Sequence, residues 1–131
     1  MQTNTAHQPI LVVDDDPGLR EALQDVLELE GYDVVLARDG QEALRLLEDA
    51  HPVLVLLDLM MPRMNGYEFV AELERRSLRD HLPVVILTAD ANAKRKAEQV
   101  GAEGYLAKPF EIDQVLATVD RILQQGRSGD R

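Results

Sequence analysis

Acidic side chains follow two of the apolar runs in this chain. The first run ends in Asp14, Asp15 and Asp16, and the most apolar run ends in Asp58. Two carboxylates about 4 Å apart repel each other by roughly 4 kcal/mol at an effective dielectric constant near 20, so such a cluster needs a cation or a proton. If the fold brings these side chains together, the sequence predicts a site for a positively charged partner.

A hydroxyl group and an ammonium group stand at corresponding positions later in the chain. Thr88 and Lys108 each follow a further apolar run, and Lys108 can neutralise one of the carboxylates. The remaining charge favours a hard divalent cation, and since no histidine or cysteine lies nearby, Mg²⁺ is the predicted ion. Mg²⁺ held by a few carboxylates keeps positions open for phosphate oxygens. This indicates phosphoryl chemistry, with Asp58 as the best placed nucleophile.

Short apolar runs rich in branched residues predict the strands that carry these groups. The predicted strands are Ile10–Val13, Val34–Leu36, Val53–Leu57, Val84–Leu87 and Gly104–Ala107. Helical periods lie between them, and strands buried on both faces imply a parallel sheet with helices on either side. Ligands of such sheets bind at the carboxyl ends of the strands, where the acidic, hydroxyl and ammonium groups lie.

Capping signals mark the starts of three helices. They are Asp16 before Pro17, Asp39 three residues before Glu42, and Asn65 three residues before Glu68, and the last two resemble capping boxes. Asp16 is therefore predicted to cap a helix rather than to bind a metal ion. The helix after Thr88 has only a thin apolar stripe, so we expect it to be the least firmly held.

Size, charge and cysteine content bound the class of protein. A chain of 131 residues is typical of one domain, which we place at residues 9–125 between flexible tails at 1–8 and 126–131. The formal net charge of −10 disfavours direct binding to nucleic acid or to anionic lipid. The absence of cysteine excludes disulfides and thiolate chemistry. With no signal sequence and no apolar run of membrane-spanning length, we expect a cytoplasmic protein.

The chain resembles the receiver domains of response regulators, the phosphorylated half of two-component signalling and part of the CheY-like superfamily. The matching motifs are Leu11-Val12-Val13-Asp14-Asp15, Asp58 with Met61-Pro62 and Asn65-Gly66, Leu87-Thr88-Ala89, and Tyr105 with Lys108-Pro109-Phe110. The resemblance implies an α/β fold of the flavodoxin-like type: five βα units and a doubly wound parallel sheet of order 2-1-3-4-5 in a three-layer sandwich. The strand count agrees independently, whereas the strand order comes from the resemblance alone.

The resemblance also implies roles for the matching residues. Asp58 is the phosphoacceptor for a sensor histidine kinase or a histidine phosphotransfer protein. The implied Mg²⁺ ligands are the side chains of Asp14, Asp15 and Asp58 and the main-chain carbonyl of Met60. The phosphoryl group is held by Lys108, by Thr88 and by the backbone N–H of Ala89. The Lys108–Pro109 peptide bond is implied to be cis.

A switch and an output surface are implied as well. Thr88 moves toward the phosphoryl group, and the aromatic ring of Tyr105 turns inward. The affected surface comprises the fourth helix, the fifth strand and the fifth helix, around Lys94, Tyr105 and Gln114, and contacts a downstream protein or a second copy. Met60 and Asp90 stand two residues beyond Asp58 and Thr88, where the family varies, and are expected to tune the phosphoryl lifetime.

Two other functions remain open at this point. Asp14 and Asp16 satisfy the Asp-x-Asp pattern of haloacid dehalogenase-like phosphatases, with Asp14 as nucleophile and Asp16 as acid, although no cap segment or later acidic strand follows Lys108. A receiver-shaped interaction module that never carries phosphate is the second. We expect no enzyme activity beyond Mg²⁺-dependent self-phosphorylation and self-dephosphorylation. No output domain follows Gln125, so we expect a stand-alone or excised receiver that acts through another protein.

Overall fold

A computed structural model of the protein describes residues 8–129, with side-chain surroundings given for residues 8–125. The strands are β1 (Ile10–Val13), β2 (Val34–Ala37), β3 (Leu54–Asp58), β4 (Val84–Thr88) and β5 (Gly104–Ala107). The α-helices are α1 (Pro17–Leu29), α2 (Gly40–Ala50), α3 (Gly66–Arg75), α4 (Ala93–Val100) and α5 (Ile112–Gly129), and a 3-10 turn covers Arg79–His81. The strands form one parallel sheet in the order β2-β1-β3-β4-β5. The predicted fold class and strand order are confirmed.

The strand boundaries differ slightly from those predicted. Both β3 and β4 include one more residue at the carboxyl end, because Asp58 pairs with Leu87 and Thr88 pairs with Ala107. These two side chains therefore stand on the last residues of strands rather than on the loops that follow. Since a paired strand residue has little backbone freedom, the sheet itself sets the positions of the two side chains.

The predicted tails fall largely outside the described residues. Residues 1–7 and 130–131 are not described, so the expectation of flexible tails is not tested there. The helical backbone of α5 continues to Gly129, beyond the domain boundary predicted at residue 125. Among the described helices, none is long and apolar enough to cross a membrane.

The sheet separates two apolar clusters. One cluster packs α1 and α5 against one face of the sheet, and the other packs α2, α3 and Ala97 of α4 against the opposite face. Leu56 and Leu57 are adjacent on β3, yet they belong to opposite clusters and are both fully buried. Burying one such side chain contributes about 1.5–3 kcal/mol. Burial on both faces explains why the strand sequences are continuously apolar rather than alternating.

The capping signals are realised to different degrees. At α3 the Asn65 side chain accepts the N–H of Glu68, and the Glu68 side chain accepts the N–H of Asn65, which closes a capping box. At α4 the Asn92 side chain makes no capping hydrogen bond, and only Ala93 and Ala97 of that helix are buried. The start of α4 therefore lacks the side-chain cap that α2 and α3 have, and the expectation that α4 is the least firmly held helix stays a prediction.

Candidate functional site

Three carboxylates meet at the carboxyl edge of the central strands. Asp14 follows β1 directly, Asp58 ends the neighbouring β3, and Asp15 lies beside them. Each of the three offers an oxygen, and these oxygens all lie within 4.8 Å of one another. Asp14 and Asp58 are buried, whereas Asp15 is exposed. Two carboxylates of the site are therefore shielded from solvent, and the third is accessible to it.

Lys108 provides the positive charge in this cluster. Its Nζ lies 2.9 Å from Oδ2 of Asp14 and 3.5 Å from Oδ2 of Asp58. Lys108 directly follows β5 and is held beside the end of β4, because its N–H donates to the Thr88 carbonyl at 2.7 Å. The bond to Pro109 is cis, as predicted. Burial alone would lower the pKa of the ammonium group, but the hydrogen bond to Asp14 and the two carboxylate charges raise it above its ordinary value.

The carboxyl group of Asp58 has a perturbed acidity. Burial is the largest cause and raises its pKa to about 6, and repulsion from Asp14 and Asp15 adds to the effect. The N–H of Met60, which donates to Oδ1 at 3.1 Å, and the charge of Lys108 act in the opposite direction. Burial and the neighbouring carboxylates thus make the Asp58 anion less favourable than an exposed carboxylate.

The loop between β1 and α1 is fixed by several hydrogen bonds. Oδ1 of Asp14 accepts the N–H of Asp16 at 2.9 Å, and the Arg20 guanidinium donates to the Asp14 main-chain carbonyl at 2.7 Å. The exposed Asp16 side chain accepts the N–H groups of Gly18 and Leu19 at the start of α1. Asp16 is a helix cap, as predicted, and it lies outside the group of three carboxylates.

Asp16→Ala is expected to lower the free energy of unfolding by about 1 kcal/mol, because two N–H groups of the first turn lose their acceptor. The affinity for Mg²⁺ should change by less than about threefold, since only an exposed, screened charge is removed. Urea denaturation measures the first effect and isothermal titration calorimetry the second. A loss of Mg²⁺ affinity above about tenfold would identify Asp16 as a ligand and contradict its assignment as a cap.

The hydroxyl of Thr88 lies at the end of β4, next to the strand that carries Asp58. Thr88 is buried, and its Oγ1 accepts the N–H of Asp90 at 3.1 Å. The Asp90 carboxylate accepts the N–H of Asn92 at 2.7 Å and lies 3.7 Å from Nζ of Lys96 on α4. Ala89, which lies between Thr88 and Asp90, is exposed at the same edge. The loop after β4 is therefore linked to α4.

The predicted output surface forms a single groove. Lys94, Tyr105 and Gln114 all line a groove of about 620 Å³ between α4, β5 and α5. Tyr105 is 40% exposed, and Met60, two residues beyond Asp58, is 72% exposed. The structure brings the three residues of the predicted surface together.

Sequence reasoning missed a contact beside the site. The sequence predicts Asp39 only as the cap of α2, but its buried carboxylate also pairs with Arg63 of the loop between β3 and α3 at 2.7 Å. The residues stand 24 positions apart. A lone arginine in a loop of methionines, proline and asparagine carries no sequence signal of its partner, so only the fold could reveal this pair.

Comparison with known proteins finds relatives in sequence and in fold. The family model of the response regulator receiver domain matches residues 10–120. The curated response regulator MprA of Mycolicibacterium vanbaalenii is 45% identical over 123 residues, which cover 92% of this chain and 52% of that protein. MprA of Mycobacterium avium is 43% identical over 92% of this chain and 53% of that protein. The chain spans about half the length of these relatives.

Solved structures show the same fold. The chemotaxis response regulator CheY4 of Vibrio cholerae superposes with a TM-score of 0.80 at 34% identity, covering 87% of this chain and 97% of that one. A response regulator receiver domain protein of Methanospirillum hungatei superposes with a TM-score of 0.84 at 27% identity, covering 93% and 98%. The similarity thus extends over nearly the whole length of these neighbours.

Proposed function

This chain belongs to the response regulator receiver domain family, and from that membership we propose that it is a phosphorylation-dependent signalling switch. Asp58 is the proposed phosphoacceptor, and a sensor histidine kinase or histidine phosphotransfer protein is the proposed donor. One observation carries the assignment. The only cationic side chain paired with the acidic cluster in the described part of the chain, Lys108, contacts Asp14 and Asp58 at the same time.

The proposed reaction is a transfer from nitrogen to oxygen. A carboxylate oxygen of Asp58 attacks the phosphorus of a phosphohistidine and forms a new P–O bond, while the P–N bond breaks and its electron pair returns to the imidazole nitrogen. Asp58 reacts as the anion, which a pKa of about 6 allows at neutral pH. Lys108 neutralises charge on the transferred group, and the Thr88 hydroxyl and the Ala89 N–H donate hydrogen bonds to its oxygens.

The residues present fit a magnesium ion. The donor set consists of oxygen atoms alone, and three carboxylates opposed by one ammonium group leave an excess of negative charge. Asp14, Asp15, Asp58 and the main-chain carbonyl of Met60 would hold the ion. When bound, Mg²⁺ supplies charge neutralisation for the phosphoryl oxygens. The ammonium group of Lys108 supplies the rest.

The output step is proposed to pass from the site to the groove between α4, β5 and α5. Phosphorylation replaces the single negative charge of the Asp58 carboxylate with a phosphoryl group whose charge is close to −2, and the Thr88 hydroxyl stands at the end of the adjacent β4. Thr88 is linked through Asp90 to α4, which has few buried side chains. Nearly complete switching requires about 5.5 kcal/mol of differential stabilisation, which charge-assisted hydrogen bonds to the phosphoryl group can supply. Tyr105 then turns inward and alters the surface offered to a partner.

The phosphatase alternative is less well supported by the geometry. Asp16 is engaged in capping α1, so it is not directed at a leaving group, and the Asp14 carboxylate is fully buried against Lys108. A module that never carries phosphate would not require Asp58, Lys108 and Thr88 at one edge of the sheet. A module that never carries phosphate gives no label, and the Asp58→Asn and Asp14→Asn variants distinguish the phosphatase, which would form its acyl phosphate on Asp14.

The function is tested by incubating the protein with radiolabelled acetyl phosphate. We expect covalent labelling that requires Mg²⁺, is abolished by EDTA and is removed by hydroxylamine, since an aspartyl phosphate is an acyl phosphate. Absence of label in Mg²⁺, or label that forms equally well in EDTA, contradicts the proposal. A pulldown that compares beryllofluoride-treated and untreated protein would then identify partners specific to the activated state.

A further inference from the structure

The loop between β3 and α3 is fastened to the start of α2 by an ion pair. Nε of Arg63 lies 2.7 Å from Oδ2 of the buried Asp39, whose Oδ1 accepts the N–H of Glu42 at 2.9 Å. Burial alone would raise the pKa of Asp39, but the N–H of Glu42 and the charge and hydrogen bond of Arg63 lower it below its ordinary value. Asp39 is therefore a carboxylate anion that holds Arg63 at a fixed place.

A second contact fastens the same loop to the same helix. The N–H of Gly40 donates to the carbonyl of Met64 at 3.0 Å. The approach is so close that a Cβ atom on residue 40 would lie 2.7 Å from Cγ and 2.8 Å from the carbonyl oxygen of Met64. At the base of the loop, the N–H of Gly66 donates to the carbonyl of Leu59 at 3.0 Å. The loop is thus held between its two ends and also against the start of α2.

The second residue of this loop, Met60, is the proposed metal ligand that would contribute a main-chain carbonyl. Asp14 and Asp58 stand directly after β1 and at the end of β3, and Asp15 stands in the loop after β1, which the hydrogen bonds at Asp14 hold. Met60 lies three residues before Arg63, so the position of its carbonyl depends on how the loop after β3 is held. We propose that Asp39 and Arg63 are positioning residues of the magnesium site, which hold the loop so that the Met60 carbonyl stays at the distance a small cation requires. The inference rests on the proposed function of this site.

The size of the cation makes this role measurable. Mg²⁺ requires near-ideal octahedral geometry at about 2.0–2.1 Å, whereas Ca²⁺ accepts six to eight ligands in flexible geometry at about 2.3–2.6 Å. A loosened loop should therefore weaken Mg²⁺ more than Ca²⁺. Loss of the arginine charge by itself affects two divalent ions alike, so it cancels in the ratio of their dissociation constants.

Two variants loosen the loop by different means. Arg63→Ala removes the ion pair at a side chain that is 55% exposed, and Gly40→Ala forces Met64 away without any change of charge. The matched control is Arg38→Ala, which removes a neighbouring arginine that is 63% exposed and pairs with Glu42 at 3.9 Å. Isothermal titration calorimetry with MgCl₂ and CaCl₂ is done on the unphosphorylated proteins, and thermal unfolding verifies that each variant is folded at the temperature used.

For Arg63→Ala and Gly40→Ala we expect the Kd for Mg²⁺ to rise by about tenfold and the Kd for Ca²⁺ to change by less than about twofold. Arg38→Ala should leave the ratio of the two constants unchanged. If Arg63→Ala leaves the ratio of the two dissociation constants unchanged, whether or not both ions bind more weakly, the positioning role is wrong although the proposed function stands. If the wild-type protein does not bind Mg²⁺, both the proposed function and this inference are overturned.

Discussion

Asp58→Asn is expected to abolish labelling by acetyl phosphate, with a decrease of at least about a hundredfold. An amide oxygen carries no negative charge and cannot form the acyl phosphate. Asn has nearly the size of Asp, and its side chain still accepts the N–H of Met60 that the Asp58 carboxylate accepts at 3.1 Å. The loss would therefore report on the nucleophile rather than on a collapsed site.

Two further variants make the labelling result specific. Asp25→Asn, at an exposed carboxylate on α1, should label like the wild type because it lies in no cluster with the site. Asp14→Asn distinguishes the phosphatase alternative, in which Asp14 rather than Asp58 is the nucleophile. Retained labelling of Asp58→Asn together with complete loss in Asp14→Asn would assign the phosphoryl group to Asp14 and overturn the proposed mechanism.

The same substitution is expected to stabilise the protein in the absence of metal. Asp58→Asn should raise the free energy of unfolding at pH 8 by between about 1 and 3 kcal/mol, because it removes a buried anion that two other carboxylates repel. Saturating Mg²⁺ should reduce this advantage, since the ion binds the folded wild-type protein more tightly than the variant and stabilises it by mass action.

The pH dependence has a definite sign. The pKa of Asp58 is raised from 3.8 to about 6 in the folded protein, so between these values the folded state binds more protons than the unfolded state. The contribution of Asp58 to stability is therefore most favourable at low pH and is lost as the pH rises through about 6. The difference between variant and wild type should shrink to about half at pH 5.

Urea denaturation at pH 8 and pH 5, in EDTA, measures the effect. Asp25→Asn serves again as the control, and its free energy of unfolding should follow the wild type at both pH values to within about 0.5 kcal/mol. Equal free energies of unfolding of Asp58→Asn and wild type at pH 8 would mean that the negative charge of Asp58 does not destabilise the folded protein. The electrostatic account of the site would then be incorrect.

Much of the site was predictable because its residues are tied to strand ends. Asp14, Asp58, Thr88 and Lys108 each follow or end an apolar run, and parallel strands bring their carboxyl ends to one edge of the sheet. The identity of the neighbours was harder to predict. That Lys108 contacts Asp14 more closely than Asp58 depends on differences of less than 1 Å, which no pattern of residue types encodes.

The helix caps were predicted correctly where both partners are close in sequence and incompletely where one partner is distant. The cap at Asp16 and the capping box at Asn65 were readable because both partners lie within three residues along the chain. At α2 the expected box is only half formed, since the Glu42 carboxylate accepts the N–H of Arg38 instead of that of Asp39. Asp39 turns its other oxygen to an arginine that the sequence does not connect with it.

The sequence alone determined the class of fold, the carboxylates that gather at one edge and the ammonium group that opposes them. It could do so because periodicity, strand ends and helix caps depend on residues close together in the chain. The tertiary structure alone decided the acidity of Asp58 and the pairing of Asp39 with Arg63. Burial and ion pairing depend on distances between atoms of remote segments, and those distances exist only once the sheet and its helices have packed.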